Sequence, residues 1–164
     1  MLVSPALAQA GVDEDLAEVR LVCATKRLTI TWYTRWIDSE LAASTDAPWL
    51  VRFRRQEEQS YAALAPLLGA AAPVDGDFDF VFPRGALTHT NNARSMGVML
   101  ERLALGVELG AASRIGDPLV AGPVAAVGAT NAMHLALLTG ALTSALPVAL
   151  GADDASTQLG VYLQ

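Results

Sequence analysis

The chain has 164 residues, of which 52% are apolar and 17% charged, and this composition is sufficient for the core of one domain. Its formal charge of −6 argues against nucleic-acid binding, which needs a basic face to neutralise phosphate. Cys23 is the only cysteine in the sequence, which excludes an internal disulfide and a cysteine metal cluster. No apolar run is long enough to predict a membrane span.

The first residues of the chain bear on its localisation. Ala6-Leu7-Ala8 is similar to the cleavage end of a secretory signal, although the charged and long apolar parts of such a signal are missing. Either an upstream export signal was removed, or residues 1–12 form a disordered, Ala-rich tail. We expect an exported protein, periplasmic or extracellular, over a cytoplasmic one, and leave residues 1–12 out of the predicted fold.

Two helices are predicted in the first half of the chain. The first runs from Asp13, an acidic residue suited to a helix start, to about Leu41. Its apolar residues recur every three or four positions, the pattern of a helix that faces a bundle, and Lys26 interrupts them. The second helix runs from Trp49 to about Leu68. The inward face of the second helix is predicted at Leu50, Phe53, Glu57, Tyr61, Leu64 and Leu68.

A long crossover and two further helices follow. Residues 70–90 contain several prolines and glycines and predict an extended connection, in which the aromatic residues of 78–82 pack on the bundle. The third helix is predicted at residues 90–115 and the fourth at residues 119–142. The remaining residues, 143–164, are expected to pack loosely or to contact another subunit.

Five short motifs carry a resemblance to a known family. They are Phe78-Asp79-Phe80, Leu100-Glu101, Glu108-Leu109-Gly110-Ala111, Asn131-Ala132-Met133-His134 and Gly140. Their order and spacing resemble the ferritin-like family that includes the desiccation-related proteins. The resemblance implies an all-α fold, a ferritin-like four-helix bundle with a long crossover between helices 2 and 3, which we assign to residues 13–142.

The resemblance also implies a set of metal ligands. In ferritin-like di-iron sites, two helices each supply a Glu and the other two each supply a Glu-x-x-His pair. Glu101 matches the Glu of the third helix. The second-helix pair reads Glu58 to Tyr61, with Tyr in place of His, and the fourth-helix pair reads Asn131 to His134, with Asn in place of Glu. At most three of the six ligands remain, so we predict no ferroxidase activity.

Lys26 holds the expected place of the first-helix Glu, with Thr29 as the alternative position. Burying an ammonium costs several kcal/mol unless it is paired. We therefore expect Lys26 to be buried within salt-bridge reach of Glu58 or Glu101, where it replaces the charge of a metal ion. In the alternative interpretation, Lys26 lies near an edge of the bundle and extends to water.

Several other polar residues allow two interpretations. His134 is either a metal ligand or a hydrogen-bonded core histidine, and we favour the second because few ligands are left. Glu108 preserves a rearranged metal site if it pairs with Glu101 or Glu57. Tyr61 is either a site residue or a core aromatic with a polar tip.

Three functions remain open, with or without catalysis. We favour a metal-free protein without a cofactor, in which a central polar cavity binds or transforms a small molecule. The alternatives are an oxidoreductase with a reduced or rearranged iron or manganese site, and a structural or stress-associated bundle protein. A homodimer is the expected assembly. The candidate site residues are Lys26, Glu58, Tyr61, Glu101, Asn131 and His134.

Overall fold

Helices account for the regular structure of the chain. The computed structural model describes residues 5–41, 47–140 and 147–163, and no strand occurs within these ranges. The helices are α1 (Pro5–Asp38), α2 (Ala47–Leu68), α3 (Thr90–Arg114), α4 (Pro118–Thr139) and α5 (Ala152–Gly160), with a short 3-10 turn at Gly69–Ala71. The prediction of an all-α fold is confirmed.

The first four helices form the predicted bundle. α1 packs against α2 and α3, α3 packs against α4, and the contact between α2 and α4 is looser. Each helix buries its apolar stripe against the others, which removes these side chains from water and drives the packing. Side chains in the centre of this core include Val19, Leu28, Trp32, Leu50, Leu64, Leu100, Val107 and Val124.

The first helix is longer than predicted at its start. It begins at Pro5, so residues 5–12, which we left out as a signal remnant or disordered tail, are helical. Proline suits the first turn of a helix, and the alanines that follow have high helix propensity. The acidic residues that predicted a start near Asp13 have another role: Asp15 accepts hydrogen bonds from the backbone N–H groups of Gly116 and Asp117, both at 2.9 Å.

The crossover between α2 and α3 lies on the bundle, as predicted. The Phe82 ring lies 5.0 Å from the Trp32 ring, and Phe80 is only 3% exposed. Phe80 also forms an isolated antiparallel bridge with Leu163, next to a 2.8 Å hydrogen bond from Val81 N–H to the backbone oxygen of Tyr162. The extended segment therefore joins the C-terminal end of the described chain to the bundle.

The C-terminal segment is not loosely packed. Residues 152–160 form α5, which packs on α3 and α1 and buries Ala155 completely. Leu150 N–H donates to the Gly106 carbonyl at 2.9 Å, and Arg114 Nη1 donates to the Leu150 carbonyl at 2.8 Å. Glycines at 106 and 110 permit this close approach, so the prediction of a loose tail is wrong for residues 147–163. Residues 143–146 of the predicted tail lie outside the described residues.

α4 is an unusually apolar helix. It contains no Asp, Glu, Lys or Arg, and by length and composition alone it is long and apolar enough to cross a membrane. It also carries the buried polar residues Asn131 and His134 and packs against α3. Core helices of soluble proteins meet the same criteria, so the absence of a membrane span stays a prediction.

Candidate functional site

The centre of the bundle contains a group of buried polar side chains from α1, α2, α3 and α4. We call this group the central cluster. Each of its side chains belongs to a residue that is no more than 1% exposed. Its members recur on the inward faces of their helices, at spacings of three, four or seven residues. The central cluster consists of Lys26, Thr29, Tyr33, Glu57, Glu101, Glu108, Asn131 and His134.

Lys26 is buried, as predicted, but its partners differ from the predicted Glu58 and Glu101. Its Nζ lies 3.0 Å from Glu57 Oε2 and 2.5 Å from Glu108 Oε1, and it donates to Asn131 Oδ1 at 2.6 Å. Burial alone lowers the pKa of a lysine, but the surrounding carboxylates outweigh it, Glu108 most strongly, and the pKa of Lys26 is raised. Lys26 is therefore an ammonium ion in the folded protein.

His134 faces two carboxylates on one side and an amide on the other. Its Nδ1 lies 3.2 Å from Glu57 Oε1 and 3.2 Å from Glu101 Oε1, and its Nε2 lies 3.0 Å from Gln56 Oε1. Because an amide oxygen only accepts, Nε2 carries a proton and donates it to Gln56. The ring also stacks on Phe53, with 4.1 Å between centroids. An unprotonated Nδ1 and the two carboxylates are all acceptors, so a second proton on the ring or a bound cation must lie between them.

The proton on Nδ1 is stabilised in the absence of a cation. Burial lowers the pKa of His134, but the hydrogen bonds and charges of Glu101 and Glu57 outweigh that effect and raise it to about 9. Tyr33 donates its hydroxyl to Glu101 Oε1, and burial together with the neighbouring Glu57 raises the pKa of Glu101. Thr29 Oγ1 donates to Glu57 Oε2 at 2.8 Å. The pKa of Glu57 is lowered despite burial, chiefly by the charge of Lys26.

Glu108 belongs to the ammonium side of the central cluster. Burial raises its pKa to about 8, against the opposite effect of Lys26. Its carboxylate lies beside Gly128, where a Cβ atom would come within 3.6 Å of Glu108 Oε2. The hypothesis that Glu108 pairs with Glu57 or Glu101 in a rearranged metal site is not supported by these contacts, because Lys26 lies between Glu108 and Glu57.

Two predicted site residues, Glu58 and Tyr61, lie outside the central cluster. The Glu58 side chain is 49% exposed, and its Oε1 lies 3.4 Å from Arg54 Nε, one turn earlier in α2. The Tyr61 hydroxyl donates to the Pro73 carbonyl, and the Arg27 guanidinium lies 4.6 Å from the centroid of its ring. The expectation that both converge with Glu101 and His134 is therefore wrong.

The inward face of α2 explains this difference. Glu57 and Ser60 point to the core, with residue exposures of 0% and 7%, so the family motif falls on Glu57-x-x-Ser60, one position earlier than Glu58-x-x-Tyr61. The helical spacing of Leu50, Phe53 and Glu57 contained this information, whereas the match to the motif favoured Glu58. Tyr33, also missed as a site residue, was visible only as a member of an apolar stripe.

Three side chains lie close enough together to hold one metal ion. Glu57, Glu101 and His134 each offer a ligand atom, and these atoms lie within 4.8 Å of one another. Two ligand atoms that each lie about 2.1 Å from a shared ion are roughly 3.0–3.4 Å from each other. The distances from His134 Nδ1 to Glu57 Oε1 and to Glu101 Oε1, both 3.2 Å, fall in this range. Glu101 Oε2 is buried without a hydrogen-bond partner, and the 3.2 Å contact with His134 Nδ1 is the one polar contact given for the buried Glu57 Oε1. Imidazole and carboxylates suit iron, manganese or zinc.

A second ion does not fit beside the first. Lys26 Nζ lies between Glu57, Glu108 and Asn131, at 2.5–3.0 Å from an oxygen of each. It thus occupies the space to which Glu57 Oε2 and Asn131 Oδ1 point. A second cation would have to displace the ammonium, which α1 supplies covalently. The donor set therefore accommodates one ion.

The polar side chains at the centre of the bundle contact one another directly, and the cavities that touch Phe53 or Gln56 open at the surface. One cavity of about 310 Å³ lies between α2 and α4, and we call it the α2–α4 cleft. Its lining residues are Gln56, Gln59, Ser60, Ala63, Pro123, Ala126, Val127 and Thr130. The central polar cavity expected from the sequence gains no support, because the polar atoms of the central cluster contact one another directly.

Comparisons with known proteins bear on the family of the chain. A family model described as a ferritin-like domain matches residues 22–144. This range covers well over half of the chain and includes every member of the central cluster. Neither the curated proteins nor the solved structures gave a match. The matched range agrees with the resemblance that the sequence motifs indicated.

Proposed function

The chain belongs to the ferritin-like domain family, and we propose that in this member the two-metal centre is reduced to a single metal position. Ferritin-like di-iron sites take a Glu from two helices and a Glu-x-x-His pair from each of the other two. Here α1 supplies Lys26 instead of Glu, α2 supplies Glu57 with Ser60 in place of His, and α4 supplies Asn131 with His134. Glu57, Glu101 and His134 keep the ligands of one metal position, and the Lys26 ammonium lies where the second metal would be.

The geometry around His134 carries the proposal. Gln56 accepts from Nε2, which fixes the ring so that Nδ1 points at Glu57 and Glu101. Such an outer hydrogen bond is the usual way to orient a metal-binding imidazole. When bound, a divalent transition metal supplies Lewis-acid or one-electron redox chemistry at this position. Tyr33 holds Glu101 in place through its hydroxyl.

The balance of charge also favours one ion. The central cluster contains three carboxyl groups, Glu57, Glu101 and Glu108, and one ammonium, Lys26. With His134 neutral and all three carboxyl groups ionised, a divalent ion and the ammonium together balance the charge of the central cluster. Two divalent ions would leave an excess of positive charge in a buried site, which is strongly unfavourable. The proposal therefore excludes the two-iron oxidation of a ferroxidase.

The metal-free hypothesis is the second candidate function, and a specific observation favours it. The Lys26 ammonium contacts the carboxylates of Glu57 and Glu108, and a protonated His134 faces those of Glu57 and Glu101. The charge of the central cluster is thus neutralised in part without a metal ion. The bundle would then be a structural protein or a small-molecule binder. A small molecule would need space beside the central cluster, and the α2–α4 cleft, lined by Gln56, is one such space.

Cobalt binding tests the proposal. Co²⁺ is added to protein freed of metal by chelation, and its visible absorption reports the ligands. We expect a spectrum with nitrogen and oxygen ligands that disappears in His134→Ala. His89→Ala, which alters an exposed histidine of the crossover, is the matched control and should keep the spectrum. Equal spectra in the wild type and His134→Ala would refute the assignment of the site.

A further inference from the structure

The metal position is closed to solvent, so an ion reaches it only by passing between helices. Glu57, Glu101 and His134 are completely buried. Close contacts join α1 to α2, α1 to α3 and α3 to α4, whereas α2 and α4 are separated along part of their length by the α2–α4 cleft. The gap in the packing therefore lies between the two helices that supply Glu57 and His134.

Gln56 connects the α2–α4 cleft to the buried site. Its side chain lines the cleft, and its Oε1 accepts the hydrogen bond from His134 Nε2. Ser60 lies one turn further along α2, on the inward face next to Glu57, and also lines the cleft. Because serine is small, this wall stays open at the position where a larger side chain would fill it. The Gln56 amide thus lies between the cleft and the imidazole.

The lining residues distinguish the α2–α4 cleft from its neighbours. Two other cavities touch Gln56 or Phe53, the residues in contact with His134. One is lined in part by Arg52 and Arg55 and presents positive charge to an incoming cation. The other is lined in part by the bulky aromatic residues Trp49 and Phe53. The residues that line the α2–α4 cleft, all within the described ranges, are uncharged.

We propose that the α2–α4 cleft is the access route by which a divalent cation reaches the position between Glu57, Glu101 and His134, and that Gln56 is its gate. This inference rests on the proposed one-metal function. Amide and hydroxyl oxygens along the cleft, from Gln59 and Thr130 among others, replace part of the hydration shell without holding the ion. Rotation of Gln56 then opens the last step to the site.

A route controls rates and leaves the equilibrium unchanged. Narrowing the cleft slows association and release by the same factor, because it raises the barrier between two states whose free energies do not change. Ala63 and Ala126 lie on opposite walls, on α2 and α4, and both are exposed and outside the central cluster. Leucine at both positions narrows the cleft without touching a ligand.

The experiment compares Ala63→Leu/Ala126→Leu with Ala62→Leu/Ala125→Leu, a matched pair one position away on the same helices, exposed and outside the cleft lining. Stopped-flow quenching of tryptophan fluorescence by Co²⁺ gives the association rate, and transfer of the ion to a chelator gives the release rate. Trp49 lies 5.1 Å from the Phe53 ring that stacks on His134 and serves as the reporter.

We expect the cleft variant to slow both rates by about tenfold with the same dissociation constant, and the control to match the wild type. Gln56→Ala should speed association because it removes the gate, and should speed release more than association because it also removes the hydrogen bond that orients His134. Unchanged rates in the cleft variant, with one ion still bound, would overturn the access route alone. A wild-type protein that binds no ion would refute the one-metal function and the route with it.

Discussion

A lysine on the inward face of a bundle helix dictates the side chains that must surround it. Replacing Lys26 with methionine leaves Glu57 and Glu108 buried without their ammonium partner. We expect Lys26→Met to lower the free energy of unfolding by about 3–5 kcal/mol, the usual cost of an uncompensated buried charge. Denaturant unfolding of metal-free protein at neutral pH measures it.

The matched control for this prediction is Arg54→Met, which removes a partly exposed pair with Glu58 and should cost less than about 1 kcal/mol. Adding Glu108→Gln to Lys26→Met removes the orphaned carboxylate and should recover part of the loss. Equal destabilisation by Lys26→Met and Arg54→Met would contradict the account of the buried ion pairs.

The pKa of His134 predicts how stability depends on pH. Its pKa rises from the ordinary value of 6.5 to about 9 in the folded protein, because the hydrogen bonds and charges of Glu101 and Glu57 at its Nδ1 outweigh the effect of burial. The folded state thus holds the proton more tightly, and the stabilisation is complete below pH 6.5 and lost as the pH rises through 9.

We therefore expect the stability difference between wild type and His134→Gln to fall by about 3 kcal/mol from pH 6 to pH 10 in the presence of a chelator. Denaturant titrations at a series of pH values measure this difference, and subtracting the variant cancels the contribution of other groups such as Glu108. A difference that grows with pH would show that His134 is neutral in the metal-free protein.

The burial of a single residue could be predicted from the sequence where helical spacing alone determines which face of the helix the residue occupies. The burial of Lys26 followed from its position in an apolar stripe, and so did the inward position of Glu101 and His134. The partners of Lys26 did not follow, because the motif match selected Glu58 as the site residue although the predicted inward face of α2 contained Glu57. On a helix, a shift of one residue rotates a side chain by about 100° and exchanges core for surface.

At the level of elements, the corrected face of α2 changes how the two-metal site should be rebuilt. Ser60 follows Glu57 by three residues, faces inward and borders the α2–α4 cleft, which gives space for an imidazole. We expect Lys26→Glu, Ser60→His and Asn131→Glu together to raise the number of bound ions from one to two per chain, measured by elemental analysis.

The control keeps two of these changes and places the histidine at Tyr61 instead of Ser60. Tyr61 lies beside the crossover and contacts Pro73 and Arg27, so a histidine there cannot reach the site. Two ions bound by the Tyr61→His combination would show that the face of α2 assigned to the site is incorrect.

Docking of the C-terminal segment depends on a glycine of α3. A Cβ atom at Gly110 would lie 2.0 Å from the Leu150 carbonyl oxygen, so Gly110→Ala must displace that segment. We expect a loss of about 1–3 kcal/mol in the free energy of unfolding and faster amide exchange in α5. Gly122→Ala on α4, where nothing lies within 4 Å, is the control and should be neutral or slightly stabilising. Unchanged exchange in α5 of Gly110→Ala would contradict this packing.

The sequence predicted the elements unevenly, for physical reasons. Long helices such as α3 and α4 carry many apolar residues at regular spacing, and both were placed within a few residues of their ends. α5 is short, and its burial depends on glycines at 106 and 110 that lie far from it in the sequence. Its docking is therefore a tertiary contact, which local periodicity does not contain.

On the scale of the whole molecule, the family and the all-α bundle were predictable because several weak motifs occur in one order. The chemistry of the site was less predictable, since it depends on which atoms of the central cluster meet. Export and a homodimer, both expected from the sequence, stay predictions. So does the binding of a small molecule, for which the α2–α4 cleft offers one space.

The number of metal ions bound per chain tests the central claim most directly. Protein freed of metal is saturated with Mn²⁺, Fe²⁺ under nitrogen, or Zn²⁺, separated from free ion by gel filtration, and analysed for metal and protein. The account predicts one ion per chain, retained in Lys26→Arg and lost in His134→Ala, because the ammonium of Lys26 takes the place of a second ion. Two ions per chain in the wild type, or none, would contradict it.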